Sequence, residues 1–331
     1  MKRVRRRQFL VAAGALLATP LAANGQQAKV ARIGYLSANL ASGPRLRDAF
    51  LQGLRDVGYV EGRNVVIEYR DAEARLERVP ALAADLVALK VDLIFVAGGT
   101  RVTLAAMQAT KTIPIVFADV GDPVESGLVS SLARPGGNVT GLSSVGPELV
   151  GKRLEVLKQA VPGLDRVAVL WLPGALGERT DKDMLTGVDV AARALGLRLQ
   201  FVEARSADEF ARAFSDMSSA HAGALTVLPS NRFFREHRRL VELAAEKRLP
   251  AVYTSREFVD AGGLMSYGAN SADLHRRAAT YADKILKGAK PGDLPVEQPT
   301  KFELVINMNT AKDLGLVIPA SVLARADDLI Q

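Results

Sequence analysis

The stretch VDLIFVAGGT at residues 91–100, followed by IPIVFADVGDP at 113–123, decides the fold. Val91, Leu93, Ile94, Phe95 and Val96 form a nearly continuous apolar run, the pattern of a strand covered on both faces in a parallel sheet. Gly98 and Gly99 then let the backbone turn sharply, and Thr100 is placed to cap the next helix. The second piece is another apolar strand, from Ile115 to Ala118, ending in Asp119 and the turn Gly121-Asp122-Pro123. Ligands of open α/β sheets sit beyond the carboxyl ends of the strands. Residues 98–100 and 119–122 are therefore expected on one rim of a binding crevice.

The same layout recurs. GALTVLPSN at 223–231 repeats the first piece, and LPAVYTSREF at 249–258 repeats the second. In both halves a helix leads into an aliphatic residue, a proline and an apolar strand: Ile113-Pro114-Ile115-Val116-Phe117 beside Leu249-Pro250-Ala251-Val252-Tyr253. An offset of about 130 residues is too long for a solenoid period. It implies two similar α/β lobes, each a doubly wound parallel sheet.

A chain of 331 residues has room for two such units. Its formal charge of +7 is concentrated at one end. Lys2, Arg3, Arg5, Arg6 and Arg7, taken from the 43 basic residues, leave 38 against 36 acidic ones. A body so nearly neutral argues against a nucleic-acid partner, which needs a concentrated basic footprint. Arg232, Arg235, Arg238 and Arg239 form a local basic cluster that fits an exposed helix face. The absence of cysteine excludes disulfides, thiolate catalysis, cysteine-based zinc sites and lipid attachment through an N-terminal cysteine.

Residues 1–25 have the form of an export signal: a basic region, then an apolar stretch from Phe9 to Ala23. Arg6-Arg7-Gln8-Phe9-Leu10 resembles the twin-arginine pattern; an arginine-rich general secretory signal is the alternative. Either route leads out of the cytoplasm, and the exported form is expected to be soluble and unanchored.

Further on, Leu46, Phe50, Leu54 and Val57 mark a helix stopped by Gly58. Residues 30–36, 65–69, 139–144 and 166–171 pattern as strands. Val150, Leu154, Leu157 and Val161 define the helix that opens the second lobe. Ser206 and Glu209 have the spacing of a capping box. Residues 263–267 form a short strand, and Leu274, Ala278, Tyr281 and Ile285 a strong helix stopped by Gly288.

No nucleophile elbow, P-loop or dinucleotide fingerprint is present. His221, His237 and His275 fall before a strand or inside helices, where structural or surface roles are expected. Acid–base chemistry is left to carboxylates and tyrosines. Asp119 or Asp122 could accept from a ligand amine or hydroxyl, while Asp122 could equally fix its own turn. Gly98, Gly99 and Thr100 could present backbone N–H groups to an anion, or only make a tight turn. Ser37 and Ser230 stand at equivalent strand ends and could donate to the same ligand. Tyr253, Tyr267 and Trp171 could offer ring faces, with core packing as the competing role. No metal or other cofactor is expected.

The chain resembles the periplasmic substrate-binding components of ABC importers, of the tryptophan/tyrosine type. The residues that carry the resemblance are Arg32-Ile33-Gly34-Tyr35-Leu36-Ser37, Gly58-Tyr59-Val60-Glu61-Gly62-Arg63-Asn64 and Gly121-Asp122-Pro123-Val124, with the run from Leu132 to Gly141. The runs from Glu257 to Gly268 and from Pro299 to Asn307 extend it over nearly the whole body. The resemblance implies a type I periplasmic-binding-protein fold, two lobes joined by a multi-strand hinge with the ligand between them. One lobe would hold residues 28–143 with about 268–298, and the other 144–267 with about 299–331, although the segment after Pro299 fits either. It also implies a small amino-acid-like ligand, permease subunits as membrane partners, a monomer, and no catalysis. Ligand contacts would fall on Ser37, Gly98, Gly99, Thr100, Asp119, Asp122, Trp171, Ser230, Tyr253 and Tyr267. Residues 173–183 depart most from the family pattern and are expected to set selectivity. An exported enzyme using Asp119 or Asp122 on the same fold, and a sensor for a membrane receptor, are the competing functions.

Overall fold

The computed structural model describes residues 30–42, 44–144, 148–175 and 178–331. The export signal expected at residues 1–25 lies outside the described residues.

The first sheet is built from β1 (Ala31–Ser37), β2 (Val65–Asp71), β3 (Leu93–Ala97), β4 (Ile115–Val120) and β5 (Val139–Ser143). These five strands run parallel in the order β2-β1-β3-β4-β5. Helices α1 (Pro44–Asp56), α2 (Val79–Ala88) and α3 (Gly99–Ala109) connect the first four strands. The run at 93–97 forms the central strand, with Leu93, Ile94, Phe95 and Val96 wholly buried, as a parallel strand covered on both faces requires.

The second lobe starts with α4 (Glu148–Ala160), then β6 (Arg166–Trp171), α5 (Glu178–Ala194), β7 (Arg198–Glu203), α6 (Phe210–Ser219) and β8 (Ala224–Val227). It continues with α7 (Asn231–Arg235), α8 (His237–Glu246), β9 (Ala251–Tyr253), α9 (Arg256–Asp260) and β10 (Met265–Ala269). Its first five strands lie in the order β7-β6-β8-β9-β10. That is the first sheet's order again. The two halves of the repeat therefore fall on matching strands, β3 with β8 and β4 with β9.

After β10 the chain returns to the first lobe as α10 (Ser271–Leu286), which packs on α1 and on β4. It crosses back and ends with β11 (Phe302–Asn307), α11 (Met308–Asp313), α12 (Ala320–Leu323) and β12 (Asp328–Ile330). β11 pairs antiparallel with β10, and β12 parallel with β11. The second sheet is thus seven-stranded and mixed, where an all-parallel one was expected. The reason is the route: β11 arrives from the other lobe and enters the sheet from the opposite end.

The return segment is stitched to β5. Glu297 N donates to Gly141 O at 3.1 Å, Ser143 N to Glu297 O at 2.9 Å, and Thr140 Oγ1 to Leu294 O at 2.7 Å. The Tyr281 hydroxyl lies 2.6 Å from Pro295 O and 2.9 Å from Glu297 Oε1. Two local expectations fail. Thr100 lies in the first turn of α3, whose N-cap is Gly98. Ser206 makes no side-chain cap; Glu209 instead accepts from Arg205 N at 2.7 Å.

The core of the first lobe is aromatic. Phe50 of α1 stacks on Phe95 of β3 at 3.8 Å and 7°, and Tyr35 meets Phe95 edge-on at 5.1 Å. Gly53, one turn on, lets α10 approach α1: an added Cβ would sit 2.2 Å from the Arg276 carbonyl oxygen and 2.8 Å from Ala279 Cβ. Helix propensity alone would make Gly53→Ala stabilising by about 1 kcal/mol. Packing is expected to reverse the sign, with a loss of about 1–3 kcal/mol from overpacking. Urea unfolding of the variant decides between them, and a gain in stability would show that α10 does not pack there.

Candidate functional site

In the order β2-β1-β3-β4-β5 the loops leaving β1 and β3 diverge, and a crevice opens beyond the strand ends. The second sheet makes a matching crevice between β6 and β8. A cavity of about 190 Å³ lies between the two sheets' strand ends, lined on the second side by the segments after β8 and β9. From the first lobe come Ser37, Ala38 and Leu40 after β1, Gly98 and Gly99 after β3, and Asp119 and Gly121 around the end of β4. Pro229 and Ser230 after β8, and Thr254 and Ser255 after β9, come from the second. Arg153 of α4 and His275 of α10 also line it, over apolar walls that include Tyr35, Leu46, Leu76 and Phe234.

Five of the ten sequence candidates line this cavity: Ser37, Gly98, Gly99, Asp119 and Ser230. Ser37 Oγ accepts from Asn39 N at 3.1 Å, and Ser230 Oγ caps α7 by accepting from Arg232 N at 3.2 Å. A hydroxyl that accepts in this way keeps its hydrogen to donate. Gly98 and Gly99 bring the N-terminus of α3 to the cavity, which favours a negatively charged ligand group there.

The other five do not line it. Thr100 lies one residue past the rim. Asp122 Oδ1 accepts from Val124 N and Glu125 N, each at 3.0 Å, so it fixes its own turn. Its Oδ2 accepts from Thr180 Oγ1 at 3.2 Å, a contact with the other lobe. Trp171 ends β6 and packs on the second-lobe core. Tyr253 is wholly buried and stacked on Phe258 at 4.6 Å and 14°. Tyr267 packs on the same core as Trp171, and only its carbonyl reaches toward the site, through Arg153. Alternation along β9 and β10 sends these tyrosines into the core, while the loops that follow turn toward the cavity. The stretch 173–183, expected to set selectivity, contributes no lining among its described residues.

Asp119 stands in the left-handed region at φ +61°, where the β4–β5 register shifts between Ala118 and Val120. This bulge re-aims its side chain. Its Oδ2 accepts from Ser271 Oγ at 2.6 Å. His275 Nδ1 lies 2.8 Å from the Ser271 carbonyl, which can only accept, so Nδ1 carries the proton. Burial holds this imidazole below its ordinary pKa, with Asp119 opposing; the ring is neutral near pH 7. Arg153 is buried, and burial lowers its pKa to about 10, so it stays cationic. Among the described residues no cluster of histidine and carboxylate side chains could hold a metal.

Sequence reasoning missed Arg153 and His275. Both carried a signal. Arg153 falls three residues after Val150 and four before Leu157, on the apolar face of its helix. His275 follows Leu274 and precedes Ala278 by three, on the buried flank of α10. A polar residue on a buried stripe marks a partner or a cavity.

The lobes also touch directly. Besides Thr180 and Asp122, Arg235 Nη1 donates to Ala74 O at 3.3 Å, and Arg45 Nη2 lies 3.9 Å from Glu257 and 3.8 Å from Glu303. These contacts join the two lobes across the cavity.

Comparison with known proteins places the chain. The family described as ABC transporter substrate binding protein matches residues 41–330. A protein named tyrosine-binding protein, from Clostridioides difficile, is 30% identical over 277 residues, which are 82% of this chain and 77% of that one. A Streptococcus pneumoniae ABC domain in complex with L-Trp superposes with a TM-score of 0.81 at 28% identity, over 91% of this chain and 99% of the other. A ligand-free, open substrate-binding protein with adhesive properties from Clostridium difficile gives a TM-score of 0.70 at 26% identity, over 91% of this chain and all of the other. The closer fit to the liganded form agrees with the contacts between lobes. The chain belongs to the ABC transporter substrate-binding protein family.

Proposed function

We propose that this protein is an exported receptor that captures one amino-acid-like solute, aromatic amino acids foremost, and presents it to ABC permease subunits. The observation that carries this reading is the cavity between the lobes at their strand ends. At about 190 Å³ it lies below the ~300–1,000 Å³ of pockets for drug-sized ligands, so it suits a small solute rather than a peptide. Asp119 offers a carboxylate to a ligand ammonium, Ser37 and Ser230 offer hydroxyl hydrogens, and Tyr35, Leu40 and Phe234 offer an apolar bed. The tyrosine and tryptophan relatives point to the same class.

Capture closes the lobes. A ligand shifts that equilibrium only by contacts it makes better in the closed state. The closed form then shows both lobes together to the membrane partner. The arginine-rich leader supports export, and the exported protein is taken to work in the periplasm as an unanchored monomer. It acts as a receptor without turnover, and its ligand is recovered unaltered.

At a free ligand concentration near 100 times Kd, binding stabilises the folded state by about 2.7 kcal/mol. That corresponds to a rise of roughly 5–10 °C in melting temperature for a domain-sized unit. L-tyrosine or L-tryptophan is expected to give such a rise in scanning fluorimetry. If none of the common amino acids moves the transition, the amino-acid reading fails. Asp119→Asn preserves the left-handed backbone, which asparagine tolerates, but removes the charge. It is expected to weaken amino-acid binding about 10- to 100-fold by calorimetry; unchanged affinity would remove Asp119 from the site.

A further inference from the structure

We propose that Arg153 is the anchor for a ligand carboxylate, so that the cavity selects solutes with an anionic head group. This deepens the reading above and rests on it for the place of the site, not for the ligand's amine.

Arg153 lines the cavity and is only 4% exposed. Its Nε donates to the Tyr267 carbonyl at 2.7 Å, which fixes the plane of the guanidinium. Its Nη1 is buried and has no hydrogen-bond partner. No carboxylate of the described residues pairs with it, and its hydrogen bond to Tyr267 is to a neutral carbonyl. An uncompensated charge in the interior is strongly unfavourable, so an anion placed beside this guanidinium would be stabilising. With Nε engaged, the Nη groups are left to meet a carboxylate by charge-assisted hydrogen bonding.

The cavity's other arginine is a weaker candidate. Arg235 is partly exposed and already spans the lobes to Ala74 O. Asp119 lines the same cavity with the opposite sign. Arg153 and Asp119 together suit a zwitterion, with Arg235 held in its contact to the other lobe. Arg153 comes from the second lobe and Asp119 from the first. A ligand carrying both head groups would therefore engage both lobes at once, which is the differential contact that closure requires.

The experiment compares wild type, Arg153→Met and Arg153→Lys by calorimetry and scanning fluorimetry. The probes are L-tryptophan, tryptamine, which lacks the carboxylate, and indole-3-propionate, which lacks the amine, with the tyrosine counterparts alongside. Wild type is expected to bind the amino acid on the order of 100-fold tighter than the decarboxylated amine. Arg153→Met is expected to lose a similar factor for the amino acid and nothing for the amine, while its ligand-free melting temperature stays at or above wild type. Arg153→Lys recovers part of the affinity. Equal binding of tryptophan and tryptamine by wild type, or equal binding of tryptophan by wild type and Arg153→Met, overturns the anchor and leaves the amino-acid reading standing. Binding of indole-3-propionate without any amino acid, lost in Arg153→Met, upholds the anchor and overturns the amino-acid reading. A large fall in the ligand-free melting temperature of Arg153→Met marks a structural arginine and overturns the anchor. If no carboxylate probe binds wild type, both fall. The comparison of probes on wild type holds whether or not either variant folds.

Discussion

A parallel sheet whose strand order turns back between its first and third strands cannot close over its own carboxyl edge. The loops leaving those two strands go to opposite faces, and a gap is left between them. Everything functional here follows from that constraint applied twice. The orders β2-β1-β3-β4-β5 and β7-β6-β8-β9-β10 each leave one gap. The crossovers at the hinge turn the gaps toward each other, so that one cavity takes its lining from both lobes. Polar groups at the strand ends and in the turns just beyond them, Ser37, Asp119 and Ser230 among them, line the cavity while the sheets remain apolar.

Much of this was legible in the sequence because the strands are short, apolar and bounded by glycine, proline and aspartate. The run 91–100 and its counterpart at 223–231 fall on matching third strands, and 113–123 and 249–258 on matching fourth strands. Of the candidates, those at strand ends, Ser37, Gly98, Gly99, Asp119 and Ser230, line the cavity. Candidates one or two positions away do not. Along a strand, alternate side chains point to opposite faces, and an error of one position separates cavity from core. Tyr253, the last residue of β9, is buried against Phe258, while Thr254 next to it lines the cavity. Trp171 and Tyr267 pack on the second-lobe core and do not line the cavity. Arg153 and His275 lie on helices that only tertiary packing brings to the strand tips, and no local motif announces that. The antiparallel β11 was equally hidden, since nothing in Phe302–Asn307 tells which way it enters the sheet.

Asp122 illustrates how one carboxylate divides its work. One oxygen satisfies two backbone donors of its own turn and the other reaches Thr180 in the second lobe. Its place in the sequence pattern suggested either a turn or a binding role. The structure gives it a third, joining the turn to the lobe interface. The stretch around Thr180 therefore bears on how the lobes meet.

The contacts that hold the lobes together are few and individually small. A partly exposed ion pair contributes about 0–1 kcal/mol, and a neutral hydrogen bond about 0.5–1.5 kcal/mol. Arg45 with Glu257 and Glu303, Thr180 with Asp122, and Arg235 with Ala74 O are of this kind. Against them stands the interior: closing an empty cavity would seal Arg153 away from water with no anion beside it. That penalty is removed when a carboxylate enters. The same residue that would recognise the ligand thus makes the empty closed state unfavourable, and closure becomes a report of occupancy. A transporter that responds to the closed form needs that coupling, because weak surface contacts alone would close the lobes about as readily without cargo as with it.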